Sequence, residues 1–378
     1  MTTTQQRVAV ELGERRYEIL IEAGAIQRLG ELVAPIIDGG RVLVVADETV
    51  ARHHGDAVMR SLSAAHVPAQ QVTFVAGEPS KSIATCERLW QACADAGIDR
   101  AGCIIALGGG VCGDMAGFVS ATWMRGIRFI QIPTTLLAMV DSSVGGKTGV
   151  NSAAGKNLIG AFQQPACVII DPEVLGTMDQ REYAAGLAEV LKYGVIHDAE
   201  FFAWQEAHAQ ALVARDPQAV THAVATSCRI KAWYVENDEH EHGVRAHLNY
   251  GHTFGHALER DTAYQTYLHG EAVSIGMAMA ADCAKRLGML ADDSLLPRQL
   301  ALSAAYGLPV QHRCDGDRDA TLERLMSAVR IDKKVRKGST RFVLPRDFAQ
   351  IEVVADPDPE LIRAAFAAAM PEESSWNQ

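Results

Sequence analysis

The sequence has no excess of basic residues. Its 35 Lys+Arg face 46 Asp+Glu, a formal charge of −11, and a protein that coats a polyanion carries the opposite sign, which argues against nucleic acid as a partner. A small anionic ligand stays admissible, because local charge can oppose the global sign. Long hydrophobic runs are absent too: no window reaches ~18 uninterrupted apolar residues, so no membrane span is expected. The first residues, Met1-Thr-Thr-Thr-Gln-Gln6, carry neither a basic nor an apolar region. No secretory signal is therefore expected, and the expected location is the cytoplasm. The eight cysteines include no Cys-x-x-Cys pair, and several sit in apolar patterns such as Cys103-Ile-Ile-Ala-Leu107. They read as buried free thiols of a reducing compartment. There is no internal repeat and no low-complexity linker.

What is present is a core-rich chain, 48% hydrophobic over 378 residues, long enough for two domains. Short β-branched runs at 8–12, 17–21, 42–46, 71–75, 103–107, 129–132 and 168–170 alternate with helix-period segments near 49–64, 80–97 and 113–122. That alternation predicts a Rossmann-like parallel sheet covered on both faces. From about residue 179 the pattern turns helical, near 181–197, 199–214, 217–236, 250–260, 270–288, 294–306 and 320–330. Only 341–344 and 351–354 there read as strands. The expected organisation is an α/β nucleotide-binding domain over 1–178 and a mainly helical, metal-binding domain over 179–378.

Two glycine runs need separate readings. Leu107-Gly108-Gly109-Gly110-Val111-Cys112-Gly113-Asp114 follows a strand and opens a helix with Gly-x-Gly-x-x-Gly spacing, which lets backbone approach a pyrophosphate at a helix N-terminus. A plain tight turn fits about as well, and the usual acidic companion is missing between Asp114 and Asp141. Asp47, just after the strand 42–46, either binds a ribose hydroxyl in its place or caps the next helix. The second run, Asp141-Ser-Ser-Val-Gly-Gly146-Lys147-Thr148, misses a P-loop because Asp stands where Gly is required, so an NTPase is rejected.

Metal chemistry is signalled by Gly251-His252-Thr253-Phe-Gly-His256, two histidines at i and i+4 on one helix face. A metalloprotease would need Glu at 253, and Thr is there. His269 and Glu189 fall on other predicted helices. One carboxylate and two imidazoles would make an open zinc site, and spacing alone leaves the ligands open among His252, His256, His269 and several carboxylates. Asn237-Asp-Glu-His240-Glu-His242 reads as a solvated loop.

Together these motifs become recognisable. Gly77-Glu-Pro-Ser-Lys81, the 108–114 turn, Pro133-Thr-Thr135, Asp141 to Lys147, Gly155-Lys-Asn157, Ala188-Glu-Val-Leu-Lys-Tyr-Gly194 and Arg245-Ala-His-Leu-Asn-Tyr-Gly-His-Thr-Phe-Gly-His256 stand in that order. The chain resembles the 3-dehydroquinate synthase family from about residue 40 to 345. The resemblance implies NAD and a divalent metal, zinc or cobalt, bound in one cleft, and a homodimer. It makes Glu189, His252 and His269 the metal ligands. It places NAD on Asp47, Glu78, Lys81, the turn Gly109, Gly110, Val111, Cys112, Gly113 and Asp114, and on Thr134, Thr135, Lys147, Lys156 and Thr177. It gives the substrate, a small anionic sugar phosphate, to Arg125, Asp141, Lys147, Lys192, Lys231, Arg245, Asn249, His256 and Lys334, the last in preference to Lys333.

The implied reaction turns 3-deoxy-D-arabino-heptulosonate 7-phosphate into 3-dehydroquinate and phosphate by transient oxidation, elimination, re-reduction and aldol closure. Eight of the assigned side chains are cations, so positive charge is expected to converge on the site. The competing readings are a sister sugar-phosphate cyclase, a metal- and NAD-dependent polyol dehydrogenase, and an NAD-sensing protein without chemistry.

Overall fold

The computed structural model describes residues 5–314, 316–335 and 339–370, without the side chains of 331–335. The chain divides into two compact units, Met1–Asp179 with Pro217–Glu239, and Gln180–Asp216 with His240–Gln378.

Among the described residues unit 1 carries nine strands: β1 Gln6–Val10, β2 Tyr17–Ile21, β3 Val42–Asp47, β4 Ala69–Phe74, β5 Cys103–Gly108, β6 Arg128–Pro133, β7 Lys147–Ser152, β8 Gly155–Phe162 and β9 Cys167–Ile170. Seven of them form one sheet in the order β1-β2-β9-β6-β5-β3-β4. It is parallel throughout except for the β1–β2 pair. Strands buried on both faces need no alternation, which is why Val42-Leu-Val-Val-Ala46 reads as a solid apolar run. Leu43, Val45, Ile104, Ala106 and Phe129 pack under the helices Ile83–Asp95 and Gly110–Thr122, with Cys86, Leu89, Met115 and Val119. The chain runs from β3 outward to β4, then back to β5 on the other side of β3. That reversal makes the carboxyl ends of β3 and β5 a topological switch point, the place where open α/β sheets bind ligands.

The β7–β8 hairpin was not expected from sequence, which offers a loop carrying Asp141 and Lys147, with Lys156-Asn157 close behind. Its strands hold three glycines, at 149, 155 and 160, with Gly146 just before them, and glycine depresses the strand signal.

The helix Pro217–Asn237 corrects the expected division at 178, which put everything beyond it into the second domain. This helix packs on β1 and β2. Val220, Val224, Cys228, Tyr234 and Val235 are buried, each large apolar side chain contributing about 1.5–3 kcal/mol. Cys228 Sγ donates to Met139 O at 3.3 Å, and Glu236 accepts from Glu11 N at 2.7 Å. Arg15 donates to both oxygens of Glu239 at 2.5 and 2.7 Å. A helix with most of its residues buried belongs to a core, and here that core is the first unit's.

Unit 2 holds helices Gln180–Ile196, Ala199–Ala207, Ala209–Val213, His252–Asp261, His269–Arg286, Leu295–Ala305, Arg318–Val335 and Pro359–Ala368. Strands β10 Arg341–Asp347 and β11 Gln350–Ala355 pair antiparallel beside them. The single helix expected over 199–214 is broken at His208. Its Nδ1 bonds Trp204 O at 2.8 Å and its ring stacks on Trp204, a side-chain bond that competes with the helical one. The last helix was not among those expected, although Ile362, Ala365 and Phe366 recur at i, i+3 and i+4 and Asp358-Pro359 marks its start: Asp358 Oδ1 accepts from Glu360 N at 2.9 Å.

Candidate active site

In unit 2, three helices bring Glu189, His252 and His269 together, with one ligand atom from each within 4.8 Å of the others. Two glycines make this approach possible. A Cβ on Gly276 would lie 2.1 Å from Gly251 O, and one on Gly270 would lie 1.9 Å from Ala185 O. The His269 helix thus touches the backbones of both the His252 helix and the Glu189 helix, which no side chain would permit.

The donor set fits a divalent cation. The Glu189 side chain is 1% exposed, and neither of its oxygens has a hydrogen-bond partner among the described residues. Lys192 Nζ lies against Oε2 as an ion-pair neighbour, off the hydrogen-bonding direction. A buried carboxylate with unused lone pairs is costly unless a cation takes them. His252 bonds Tyr250 O through Nδ1 at 3.2 Å, and its Nε2 stands 3.9 Å from Glu189 Oε1. Burial, with the positive charge of Lys192 next, holds the His252 imidazole well below its ordinary pKa. It is neutral, the form that ligates.

Beside this cluster lies a cavity of about 230 Å³ lined by Glu241, Asn249, His252, Thr253, His256 and Arg341, among others. Asn249 Nδ2 donates to Glu241 Oε1 at 2.7 Å. Thr253, where a protease would carry its base, donates to Arg341 O at 3.0 Å and fastens β10 to the histidine helix. His256 is exposed, its ring 5.6 Å from that of His252. Arg245 is buried. Lys334 lies in the helix Arg318–Val335, and its side chain falls outside the described residues. Sequence reasoning missed Glu241, Thr253 and Arg341 as cavity lining, since only the fold brings these positions together.

In unit 1 the nucleotide candidates gather at the switch point. Asp47 Oδ1 accepts from Thr49 N and Val50 N, both at 2.9 Å, so the capping alternative is realised. Its Oδ2 faces the glycine turn, 3.8 Å from where a Cβ on Gly108 would sit. One carboxylate therefore caps with one oxygen and turns the other to the glycine turn. The helix Gly110–Thr122 has no side-chain cap at Gly109, leaving its first N–H groups for an anion. Thr134 N donates to Gly108 O at 3.0 Å, and Thr134 Oγ1 is buried with no hydrogen-bond partner among the described residues. Thr135 Oγ1 accepts from Ala138 N at 3.2 Å. These features fit a dinucleotide. Cys112 turns its side chain into the core, Sγ donating to Val45 O at 3.2 Å, so only its backbone can face a ligand.

The remaining unit 1 positions divide. Lys81 Nζ donates to Asp114 Oδ2 at 2.5 Å and Asn157 Oδ1 at 2.6 Å. Burial raises the Asp114 carboxyl above its usual range, with Lys81 pulling against it. Glu78 Oε1 accepts from Asn151 Nδ2 at 2.8 Å, and Thr177 Oγ1 bonds His54 Nε2 at 3.0 Å. A π-helical turn, Ala138–Ser142, presents Asp141, a geometry common at functional sites. Lys231 Nζ donates to Asp141 Oδ1 at 2.6 Å and to Asp141 O. Arg125, Lys147 and Lys156 are exposed, Arg125 in a left-handed turn at φ +68°. Of the eight expected cations, Lys81, Lys192 and Lys231 are each ion-paired, with Asp114, Glu189 and Asp141.

A parallel sheet with a glycine turn at its switch point, joined to a helical unit with a carboxylate–imidazole–imidazole cluster, places the chain in the fold class of the sugar-phosphate cyclases. It superposes on the 2-epi-5-epi-valiolone synthase of Streptomyces hygroscopicus subsp. jinggangensis, solved with NAD+ and Zn2+ bound, with a TM-score of 0.84 at 29% identity, covering 95% of this chain and 97% of that one. Within that class the chain belongs to the 3-dehydroquinate synthase family. The family's N-terminal model matches residues 71–185 and its C-terminal model 186–335. The 3-dehydroquinate synthase of Halorhodospira halophila is 50% identical over 96% of this chain and 99% of its own. That of Gloeobacter violaceus is 47% identical over 94% and 97%.

Proposed function

We propose that the chain converts 3-deoxy-D-arabino-heptulosonate 7-phosphate into 3-dehydroquinate and inorganic phosphate. The observation that carries this is the Glu189–His252–His269 cluster in a chain whose full-length relatives bear that enzyme's name at 50% identity. The sister cyclase is matched at 29%, so the alternative is not favoured. When bound, NAD supplies a reversible hydride acceptor and the metal polarises the oxygen of the carbon being oxidised.

The chain's own residues bind and orient. Glu189, His252 and His269 hold the metal; Asp47, the 109–114 turn and Thr134 hold NAD, with Glu78, Lys81, Thr135, Lys147, Lys156 and Thr177 around them. Substrate anions fall to Arg125, Lys147, Arg245, His256 and Lys334. Arg245 offers a planar carboxylate two parallel donors, which a lysine cannot. Asn249 contributes without charge, one N–H being held by Glu241. Lys192, Lys231 and Asp141 enter as ion pairs, able to exchange an internal partner for a substrate hydroxyl or phosphate. Within unit 2 the His252 imidazole is kept neutral by burial and so stays available as a ligand at physiological pH.

Among the described residues no helix is long and apolar enough to cross a membrane, and all eight cysteines are free. These support a cytoplasmic enzyme. The exposed Leu158, Ile159 and Phe162 of β8 support a homodimer, which light scattering would test. The decisive assay is phosphate release from the heptulosonate phosphate, with and without NAD and chelator. Release that stops when either is withdrawn is expected. No release, with turnover of another sugar phosphate, moves the chain to the sister cyclases; steady NADH accumulation from an alcohol makes it a dehydrogenase.

A further inference from the structure

An imidazole that ligates a metal through one nitrogen needs the other held, or the ring rotates and the wrong tautomer competes. His252 is held by Tyr250 O and is walled in, its side chain 14% exposed. His269 is more open, its side chain 35% exposed, and it is the first residue of its helix. What holds it is Glu259, whose Oε1 lies 3.3 Å from His269 Nδ1. Glu259 is 7% exposed and takes no part in the reaction as derived above. It stands on the His252 helix, seven residues on and so two turns along the same face. His252, His256 and Glu259 thus form a stripe at i, i+4 and i+7, with His269 set against it from the next helix.

We propose that Glu259 is a positioning residue of the metal site: it accepts the Nδ1 proton of His269, fixes the tautomer that leaves Nε2 for the ion, and makes that imidazole a stronger donor. A carboxylate is suited to this task because it accepts only, so it cannot stabilise the tautomer with a bare Nδ1. The inference rests on reading Glu189, His252 and His269 as the metal ligands.

The test is zinc affinity of the full-length protein, measured by competition with a chromophoric chelator after metal stripping. E259A should weaken zinc binding roughly 100-fold and E259Q roughly 10-fold, since Gln still accepts a hydrogen bond but lacks the charge. Metal-free E259Q should melt with the parent, and the visible bands of its cobalt-loaded form should shift. Zinc affinity within about twofold of the parent in E259Q, with an unshifted cobalt spectrum, overturns the proposal even if E259A fails to fold. The titration contains neither substrate nor NAD, so it reads Glu259 whether or not the parent releases phosphate. Should E189A bind zinc as tightly as the parent, the ligand assignment fails instead.

Discussion

Replacing Lys81 with methionine would strand the Asp114 carboxylate at the start of the glycine-turn helix. Lys81 is 5% exposed, and its ammonium donates to Asp114 Oδ2 and Asn157 Oδ1. Breaking a buried pair by removing one partner costs about 3–5 kcal/mol. The Asp114 side chain keeps 20% of its exposure, so partial hydration brings the expected loss to about 2–3 kcal/mol. For a unit of about 200 residues that is a drop of roughly 5–10 °C in the melting midpoint.

The pH dependence is specific to this cause. Burial already holds the Asp114 carboxyl above its usual value of 3.8, so the folded state keeps that proton more tightly than the unfolded chain. The resulting penalty is absent below the ordinary carboxylate range and grows as pH rises through the folded value. Loss of Lys81 raises that value further. The deficit of K81M against the parent should therefore be largest near neutrality and shrink toward about pH 5 and below. Calorimetry across that range on K81M and K81M/D114N is the assay. The double variant should recover part of the loss near neutrality, because it removes the stranded charge. A double variant no more stable than K81M, or a deficit independent of pH, would refute the reasoning.

D47N should keep both cap bonds and the melting midpoint but bind NAD about 10-fold more weakly, a difference of ~1.4 kcal/mol; equal NAD affinity would confine Asp47 to capping. G276A should force the His252 and His269 helices apart, costing about 1–3 kcal/mol and weakening zinc binding; undiminished zinc affinity in a folded G276A would show that the glycine contact does not set the site. E189A should lose well over about 100-fold in zinc affinity, beyond the roughly 10–100-fold that a residue outside the ligand set gives, and phosphate release should fall with it. Chelation of the parent should abolish release and added zinc should restore it; release surviving chelation would separate the metal from the reaction.

Much of the fold could be read from pattern because buried parallel strands have no alternation to obscure. The seven sheet strands stand out as β-branched runs, and β3 with β5 already bracket the motifs that matter. The metal ligands were separable only through the order of motifs, since i,i+4 spacing pairs His252 with His256 while the cluster takes His269 from another helix. Glycine-rich pairing hid β7 and β8, where Gly149, Gly155 and Gly160 interrupt the apolar pattern of Val150, Leu158, Ile159 and Phe162. The return of Pro217–Asn237 into unit 1 could not be read at all, because a helix's periodicity says which face is buried and nothing about what buries it. The same holds for charge: Lys192 has Glu189 at i,i+3 on its own helix, but a lone Lys231 in sequence looks like a free cation, and only the fold supplies Asp141 to meet it.

That returning helix also orders events in time. The polypeptide passes between the two units at 179/180, at 216/217 and again at 239/240, so no single cut separates them. A fragment ending at Asp179 would expose the surfaces of β1 and β2 that the helix covers, and would lack Lys231 beside Asp141. On the ribosome the same shortfall lasts until residue 239 has emerged, by which time Gln180–Asp216 of the other unit is already outside. The first unit must wait, partly unroofed, while a stretch of its neighbour is made.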